Sequence, residues 1–598
     1  MSSLNLGVVG NCTVAGMVDD RAGLVWMCLP RFDGDPVFHG LVGHGPGDPD
    51  DGAFRIEMPD LAETEQRYED NTAILRTTLK SASGVVEVTD FVPRFEARDR
   101  VFRPQMFVRQ VRPVSGWPRI RIRLRPRFDW GRLAPATTRG SNHIRYVGNG
   151  TTLRLTTDAP IDHVVDEAWI NLEGPLTFIL GPDETLSSSP HDIAEEFRRR
   201  TTEYWRRWSS TLALPFEWQE AVIRAAITLK LCSYEPTGAI VAALTTSIPE
   251  APHTQRNWDY RFCWVRDTLF TVRALNSLSA LRTLEGYFGW LMNVIGDAGS
   301  DPGGEHIQPV FGIGRETALI ETQAEALQGY RGMGPVRVGN QAYEHFQHDV
   351  YGAAILGVAP AFFDRRLLMG VGVPAFERLE PLGERAWALY DQPDAGIWEL
   401  RTRARIHTSS ALMCWAGCDR LAKIAAHLGL APRSAHWRQR ADVIREAILT
   451  RTWSEKRGAF VESFGGETLD ASVLLMGEVG FLPPDDPRFI ATVDRLSTVL
   501  GRGAFMLRYE EADDFGLPET GFNVCAFWRL DALIRIGRHD EARAHFEALL
   551  DVRTPLGLMA EDSDVRTGEP WGNFPQTYSM VGIINGATRL SKPWESML

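Results

Sequence analysis

The chain has 598 residues, 44% of them hydrophobic and 24% charged, a globular composition that excludes a largely disordered, collagen-like or low-complexity protein. Its 77 acidic against 64 basic residues give a formal charge of −13, which argues against the basic surface that a general nucleic-acid binder needs. Seven scattered cysteines, an odd number set mostly in apolar surroundings, speak against a disulfide framework and point to buried free thiols.

The opening, MSSLNLGVVGNC, lacks the basic and apolar regions of a secretory signal, so a cytoplasmic protein is expected. Short stretches of period-two alternation follow: AILRTTLK (73–80), VVEVTDFV (85–92), MFVRQVRPV (106–114), RIRIRLRPRF (119–128) and TLRLTTD (152–158), with Gly, Pro, Asn and Asp between them. Alternating apolar and polar residues put one face on a core and the other in water, which predicts an antiparallel β-sandwich over residues 1–190. Near Asp192 the period changes. DIAEEFRRRTTEYWRRWSS reads as a charged amphipathic helix, a linker over 191–214.

Helical patterns then succeed one another to the C-terminus: 216–233, 267–281, 282–296, 316–329, 341–357, 374–390, 407–428, 433–451, 468–478, 486–500, 522–537, 539–551 and 575–590. About a dozen helices with short connections allow an (α/α)6 barrel over 215–598; no fixed sequence period suggests a solenoid instead. The longest apolar stretch, Tyr351 to Phe363, falls short of a membrane span and reads as a buried core helix. Cys414 and Cys418 lie one helical turn apart, but no second Cys/His pair completes a zinc site.

Four segments carry chemistry. RNWDYRFCWVRDTLF (256–270) concentrates aromatics, arginines and carboxylates before an apolar helix. That mixture suits a sugar, whose C–H faces stack on rings while its hydroxyls bond to Arg and Asp, and it equally suits a helix start with Asp267 in the first turn. In GIWE (396–399), Glu399 follows Trp398; a bulky ring would desolvate the carboxyl and keep it protonated, although a single Glu usually sits on the surface. GLMAEDSDVRTGEPWGNFPQTYSM (557–580) gathers Glu561, Asp562 and Asp564, a solvated acidic loop or, as the lesser alternative, a cation site. GYRGMGPVRVGNQAYEHFQHDVYG (329–352) sets Arg337, Asn340 and Asp349 around Gly-rich turns without the strand–turn–helix setting of a nucleotide loop.

Together with GLVWMCLPRFDGDPVFHGLVG (23–43), LRPRFDWGR (124–132) and PTGAIVAALTTSIPE (236–250), these strings occur in an order that resembles the bacterial glucoamylase-like enzymes of glycoside hydrolase family 15 over nearly the whole chain. The resemblance implies a β-sandwich, a helical linker and an (α/α)6 barrel. It makes Glu399 the general acid and Glu561 the general base, with Arg266 and Asp267 gripping the nonreducing-end glucose. Tyr260 would help to hold the attacking water, Trp398 would form a pocket wall, and Arg337 and Asn340 would bind substrate. No cofactor or metal is implied. Departures from the family pattern at Gln341, Ala411 and Tyr578–Met580 mark positions that could line the aglycone side. The implied activity is an inverting, exo-acting α-glucosidase of glucoamylase type, releasing β-glucose, with trehalase as the alternative. An (α/α)6 phosphorylase or an inert carbohydrate-binding protein comes behind both, since each would be free to lose one of the glutamates.

Overall fold

A computed structural model describes residues 3–43, 52–298, 306–367 and 371–597. Its N-terminal part is a pair of antiparallel sheets. One runs Leu6–Gly10, Ala15–Asp19, Leu24–Leu29, Phe54–Glu57, Arg119–Leu124, Ile170–Asn171, with Asp35–Phe38 pairing to Leu24–Leu29. The other runs Ala136–Arg139, His143–Gly148, Thr151–Thr157, Leu176–Pro182, Phe107–Gly116, Gly84–Phe91, Leu75–Ser81, Glu63–Tyr68. Alternation explains the layering: in Arg119–Leu124 the residues Ile120, Ile122 and Leu124 enter the core between the sheets. Arg121 and Arg123 point out and pair with Glu57, the latter at 3.1 Å.

The linker helix, Pro190–Ser210, starts where the sequence stops it from starting earlier. Ser189 caps it by accepting from the Asp192 N–H at 3.2 Å, and Pro190 occupies the first helical position. Its outward face carries the i,i+4 pair Arg199–Glu203 at 2.7 Å, while Trp205 is fully buried.

Beyond it the helices form two concentric rings. Val265–Ser277, Asp349–Val358, Thr408–His427, the short pair Ala471–Leu474 and Leu475–Glu478, Asn523–Arg535 and Thr577–Leu590 pack each on the next, and the last returns to the first. Outside them lie Gln219–Leu231, Leu281–Ala298, Val373–Leu389, Ala431–Arg451, Pro487–Val499 and His539–Asp551. The architecture is an (α/α)6 barrel behind a β-sandwich. Burial separates the rings: every residue of Asp349–Val358 is buried, whereas Ala431–Arg451 buries only the stripe Trp437, Ala441, Ile444 and Ile448.

Two helical expectations fail. Residues 316–329 form an irregular loop in which only Thr322–Gln323 is strand, paired to Arg337–Val338, and Glu321 is held by Arg337 at 2.6 Å and Arg401 at 3.0 Å, ion pairs no sequence period encodes. Residues 341–357 hold only a 3-10 turn, Gln341–Glu344, before the helix proper begins at Asp349. All seven cysteines are buried and free. No helix among the described residues is long and apolar enough to cross a membrane.

The sandwich buttresses the barrel. Trp26, Phe32 and Met17 share one core with the barrel helices, and the Trp26 indole N–H donates to the Leu244 carbonyl at 2.8 Å. Arg261 donates to the Gly34 carbonyl at 2.8 Å and lies over the Trp130 ring at 4.8 Å, while its partner Asp259 stands at 2.7 Å. The N-terminal motifs 23–43 and 124–132 thus clamp the segment that carries Tyr260.

Candidate active site

At one end of the barrel, loops leading into the inner helices line a cleft that includes Tyr260, Trp264, Arg266, Asp267, Trp398, Glu399 and Arg508. The segment entering the helix Val265–Ser277 organises it. Tyr260 and Trp264 place their rings 5.3 Å apart. The Tyr260 hydroxyl donates to Glu561 Oε1 at 2.6 Å, and the Trp264 indole N–H donates to Glu399 Oε1 at 2.7 Å. One aromatic pair therefore holds two carboxyls that the sequence keeps far apart.

Glu399 sits on the loop before the helix Thr408–His427 with φ of 59°, a left-handed conformation uncommon for a non-glycine residue. Its surroundings hold it there. Asp394 takes hydrogen bonds from the Ser410 hydroxyl at 2.6 Å and the His348 N–H at 2.8 Å, and His407 Nδ1 lies 2.8 Å away. Gly396, at φ 69°, packs so closely that a Cβ would meet the His407 ring at 2.7 Å. Gln347 Nε2 donates to Glu399 Oε1 at 3.2 Å, and an Arg266 nitrogen stands 3.6 Å off. The ring whose N–H reaches this carboxyl is Trp264 and not the adjacent Trp398. The Trp398 indole donates to Asp470 at 2.7 Å, and its ring packs against Tyr509, Phe522 and Trp528 as cleft wall.

Glu561 is fully buried, one layer behind the cleft wall. Its backbone N–H donates to the Asn573 carbonyl at 3.2 Å, and its Oε2 accepts from the Asn573 N–H at 3.3 Å. Gly572, at φ 76°, admits it: a Cβ there would lie 2.6 Å from the Glu561 Cβ. The carboxylates of Glu250, Glu561 and Asp562 all lie within 4.8 Å of one another. Among the described residues this is the one cluster with metal-ligand spacing, but the Arg508 guanidinium already contacts Glu250 and lies 3.8 Å from Asp562. Burial first, then the charges of Glu250 and Asp562, push the Glu561 carboxyl well above the usual carboxylate range. Asp564 takes no part in the cluster, because its Oδ1 accepts from the N–H groups of Arg566 and Thr567 at 2.9 Å in a local turn.

Arg266 and Asp267 both face the cleft. Arg266 donates to Gln347 at 2.9 Å and Asp349 at 3.0 Å, and Asp267 Oδ1 lies 3.5 Å from its Nε. Burial pushes the Asp267 carboxyl up to about 6, against the lowering effect of Arg266. Arg337 does not line the cleft: it pairs with Glu321, donates to Asn257 at 3.1 Å and lies under the Trp258 ring at 5.1 Å. Asn340 reaches the cleft wall, but its side chain is spent on the fold, donating to the Asp259 carbonyl at 3.1 Å and capping Gln341–Glu344. Of the departure positions, Tyr578 lines the cleft floor, its hydroxyl accepting from the Trp528 indole at 3.1 Å. Ala411 and Met580 are buried and Gln341 faces solvent, so they and Ser579 contribute nothing to the cleft.

Sequence reasoning missed Glu250, Trp258, Arg508 and Trp528, all in the cleft wall. Trp258 stood inside the quoted cluster and was legible as an aromatic. Arg508 lies in a segment with no period and no turn signature, and only its contacts with Glu250 and Asp562 reveal it. Further contacts tie loops of the cleft lining together. The Arg401 guanidinium covers the Trp258 ring at 4.5 Å, the Arg401 backbone N–H donates to Asp514 at 2.6 Å, and Arg256 pairs with Asp513.

One carboxyl in an aromatic-lined cleft and a second just behind its wall, each held by its own aromatic donor, suit the cleavage of glycosidic bonds, the chemistry of the glycoside hydrolases. Family models agree: one described as glycosyl hydrolases family 15 matches residues 218–588, and one described as trehalase-like, N-terminal matches residues 5–167. The chain belongs to glycoside hydrolase family 15. It is 33% identical to a trehalase of Mycolicibacterium smegmatis, over 98% of this chain and 91% of that protein. A trehalase of Thermoplasma acidophilum is 30% identical over 95% and 96% of the two chains. A bacterial glucoamylase solved in complex with acarbose superposes with a TM-score of 0.69, covering 98% of this chain and 94% of that one. At 12% identity this last likeness is one of fold.

Proposed function

We propose that the chain is a trehalase that cleaves α,α-trehalose with inversion. Glu399 protonates the bridging oxygen, and Glu561 takes a proton from the water that attacks the anomeric carbon from the opposite face. Arg266 and Asp267 grip the glucose under attack, Tyr260 fixes Glu561, and Trp398 walls the pocket. The supporting observation is the Tyr260–Trp264 pair, one member on each carboxyl. Each carboxyl thus has a donor of its own, which supports separate acid and base roles for Glu399 and Glu561.

The sequence motifs placed glucoamylase ahead of trehalase. The relatives reverse that order, since the chains similar over nearly full length are named trehalases, while the glucoamylase shares only the fold. The seven reduced, buried thiols fit a cytoplasmic setting.

Glucose release from trehalose, maltose, isomaltose and maltooligosaccharides, with and without phosphate, tests the proposal. Trehalose is expected to have the highest kcat/KM, with free glucose as the product in both conditions. Faster release from maltose restores the glucoamylase reading, and glucose 1-phosphate would indicate a phosphorylase. Proton NMR before mutarotation should show α- and β-glucose formed from trehalose in equal amounts, because only the attacked ring inverts. α-Glucose alone would mean a retaining mechanism.

A further inference from the structure

Accepting the proton of water leaves Glu561 protonated, and it must be ionised again before the next turnover. Apart from the point at which it would meet the attacking water, it has no opening through which to lose that proton: the side chain is fully buried, Oε1 is taken by the Tyr260 hydroxyl and Oε2 faces the Asn573 N–H. Asp562 offers no exit, being equally buried, with Oδ1 accepting from the Thr520 hydroxyl at 3.0 Å. Glu250, itself only 2% exposed, differs from both in its position. It belongs to the same cluster, within 4.8 Å of Glu561, and it alone of the three lines the cleft. The loop holding it is pinned at both backbone atoms, its N–H donating to the Arg256 carbonyl at 2.9 Å and its carbonyl accepting from Thr520 at 3.0 Å. Its carboxylate is aimed by the Trp258 indole N–H on Oε1 at 3.1 Å and by Arg508 on Oε2.

We propose that Glu250 is the proton outlet of the buried base, a reading that rests on Glu561 being that base. As water adds to the anomeric carbon, one of its protons goes to Glu561, while Glu399 gives its own to the departing oxygen. The proton on Glu561 then crosses to the Glu250 carboxylate, over a distance that one bridging water spans, and from there passes to water in the cleft. Glu399 takes a proton back from the cleft. Only O–H bonds are exchanged in the return, and the sum is hydrolysis. Glu250 meanwhile sets the charge beside the base: Glu561 is faced by Glu250, Asp562, Arg508 and Tyr260, and Glu250 by Arg508, Arg256 and the Trp258 N–H.

The test is the pH profile of Glu250→Gln on the best α-glucoside substrate. Its kcat should fall by about tenfold or more, as for loss of a proton-transfer group, with KM little changed. The acidic limb of kcat/KM should move to lower pH by about one unit, because a like charge next to Glu561 is gone. Glu250→Asp, which withdraws the carboxylate by one methylene and keeps its charge, should fall between wild type and Gln in kcat with the limb unmoved. It is the variant to read if Gln does not fold. Wild-type kcat in either variant overturns the outlet, and so does a loss confined to KM, which would make Glu250 only an anchor for Arg508 and Trp258. An active Glu561→Gln enzyme would instead remove the base and the reading beneath it. Wild-type kcat and an unmoved limb in Glu250→Gln, beside an inactive Glu561→Gln, removes the outlet alone.

Discussion

The two carboxyls proposed as acid and base, Glu399 and Glu561, sit in different surroundings. The loop 394–410 presents Glu399 to the cleft among N–H donors, namely Trp264, Gln347 and Arg266, with its side chain 23% exposed. The segment 557–573 hides Glu561 at zero exposure beside two further carboxylates, with Tyr260 as its one side-chain donor and Arg508 as the nearby positive charge. The contrast suits the proposed division of labour. A group that must meet the leaving oxygen stands in the cleft, whereas a group that must draw a proton from water gains proton affinity from burial and like charges. The burial and like charges around Glu561 oppose its ionisation on folding.

The largest test of this contrast is removal of each carboxyl. Glu399→Gln and Glu561→Gln should each lower kcat by about a hundredfold to ten-thousandfold or more, measured as glucose release from trehalose with the melting temperature confirming the fold. Near-wild-type turnover in either would break the pairing.

Next come the two donors. Trp264→Phe and Tyr260→Phe keep the rings and delete one hydrogen bond each, and both should cost about tenfold in kcat, on the order of 1.4 kcal/mol. Their pH profiles should differ in a defined way. The Tyr260 hydroxyl lowers the Glu561 pKa, so its loss raises that pKa further and the acidic limb of kcat/KM moves to higher pH. An unmoved limb in Tyr260→Phe would contradict the assignment of that limb to Glu561.

Stability supplies a third comparison. With its folded pKa raised, Glu561 binds more protons in the native than in the unfolded state between the unfolded value near 4.3 and the folded one, so its contribution to stability falls as pH rises through that window. Glu561→Gln removes this penalty and should be more stable than wild type at neutral pH by about 0.5–2 kcal/mol. The gain should vanish below about pH 4. Thermal melts across pH check both, and a destabilised Glu561→Gln at neutral pH would mean that the buried cluster is better satisfied than its hydrogen bonds suggest.

The smallest effect is expected at Arg337, one layer behind the cleft. Arg337→Ala should raise KM by about two- to fivefold through a looser Trp258, with kcat nearly unchanged, a loss of uniform binding. A large fall in kcat would put Arg337 in contact with substrate after all.

How far the residues foretell these sites varies with the kind of signal. Period two in RIRIRL and the apolar stripe of Ala431–Arg451 were legible because each element repeats its environment along its own length. Residues 316–329 misled for the opposite reason: the local pattern is helical, while Glu321 is held by Arg337 and Arg401 from other loops. At the site, Glu399, Glu561, Tyr260, Arg266, Asp267 and Trp398 could be named from motif strings. Asn340 turned out to cap a turn and Arg337 to brace a ring, distinctions that rest on where a side chain points.

The sequence by itself determined the two regimes of secondary structure, the helical linker between them, the reduced cysteines and the short strings that carry the chemistry, because all of these are written in local spacing and composition. Only the tertiary structure decided that Tyr260 and Trp264 would each take one carboxyl, that Glu250 and Arg508 would join Glu561, and that Trp398 would turn to Asp470 instead of Glu399. Those outcomes follow from closure of the barrel, which brings loops of different helices within hydrogen-bond reach. Hydrogen bonds and desolvation act over a few ångströms of space, whatever the distance along the chain.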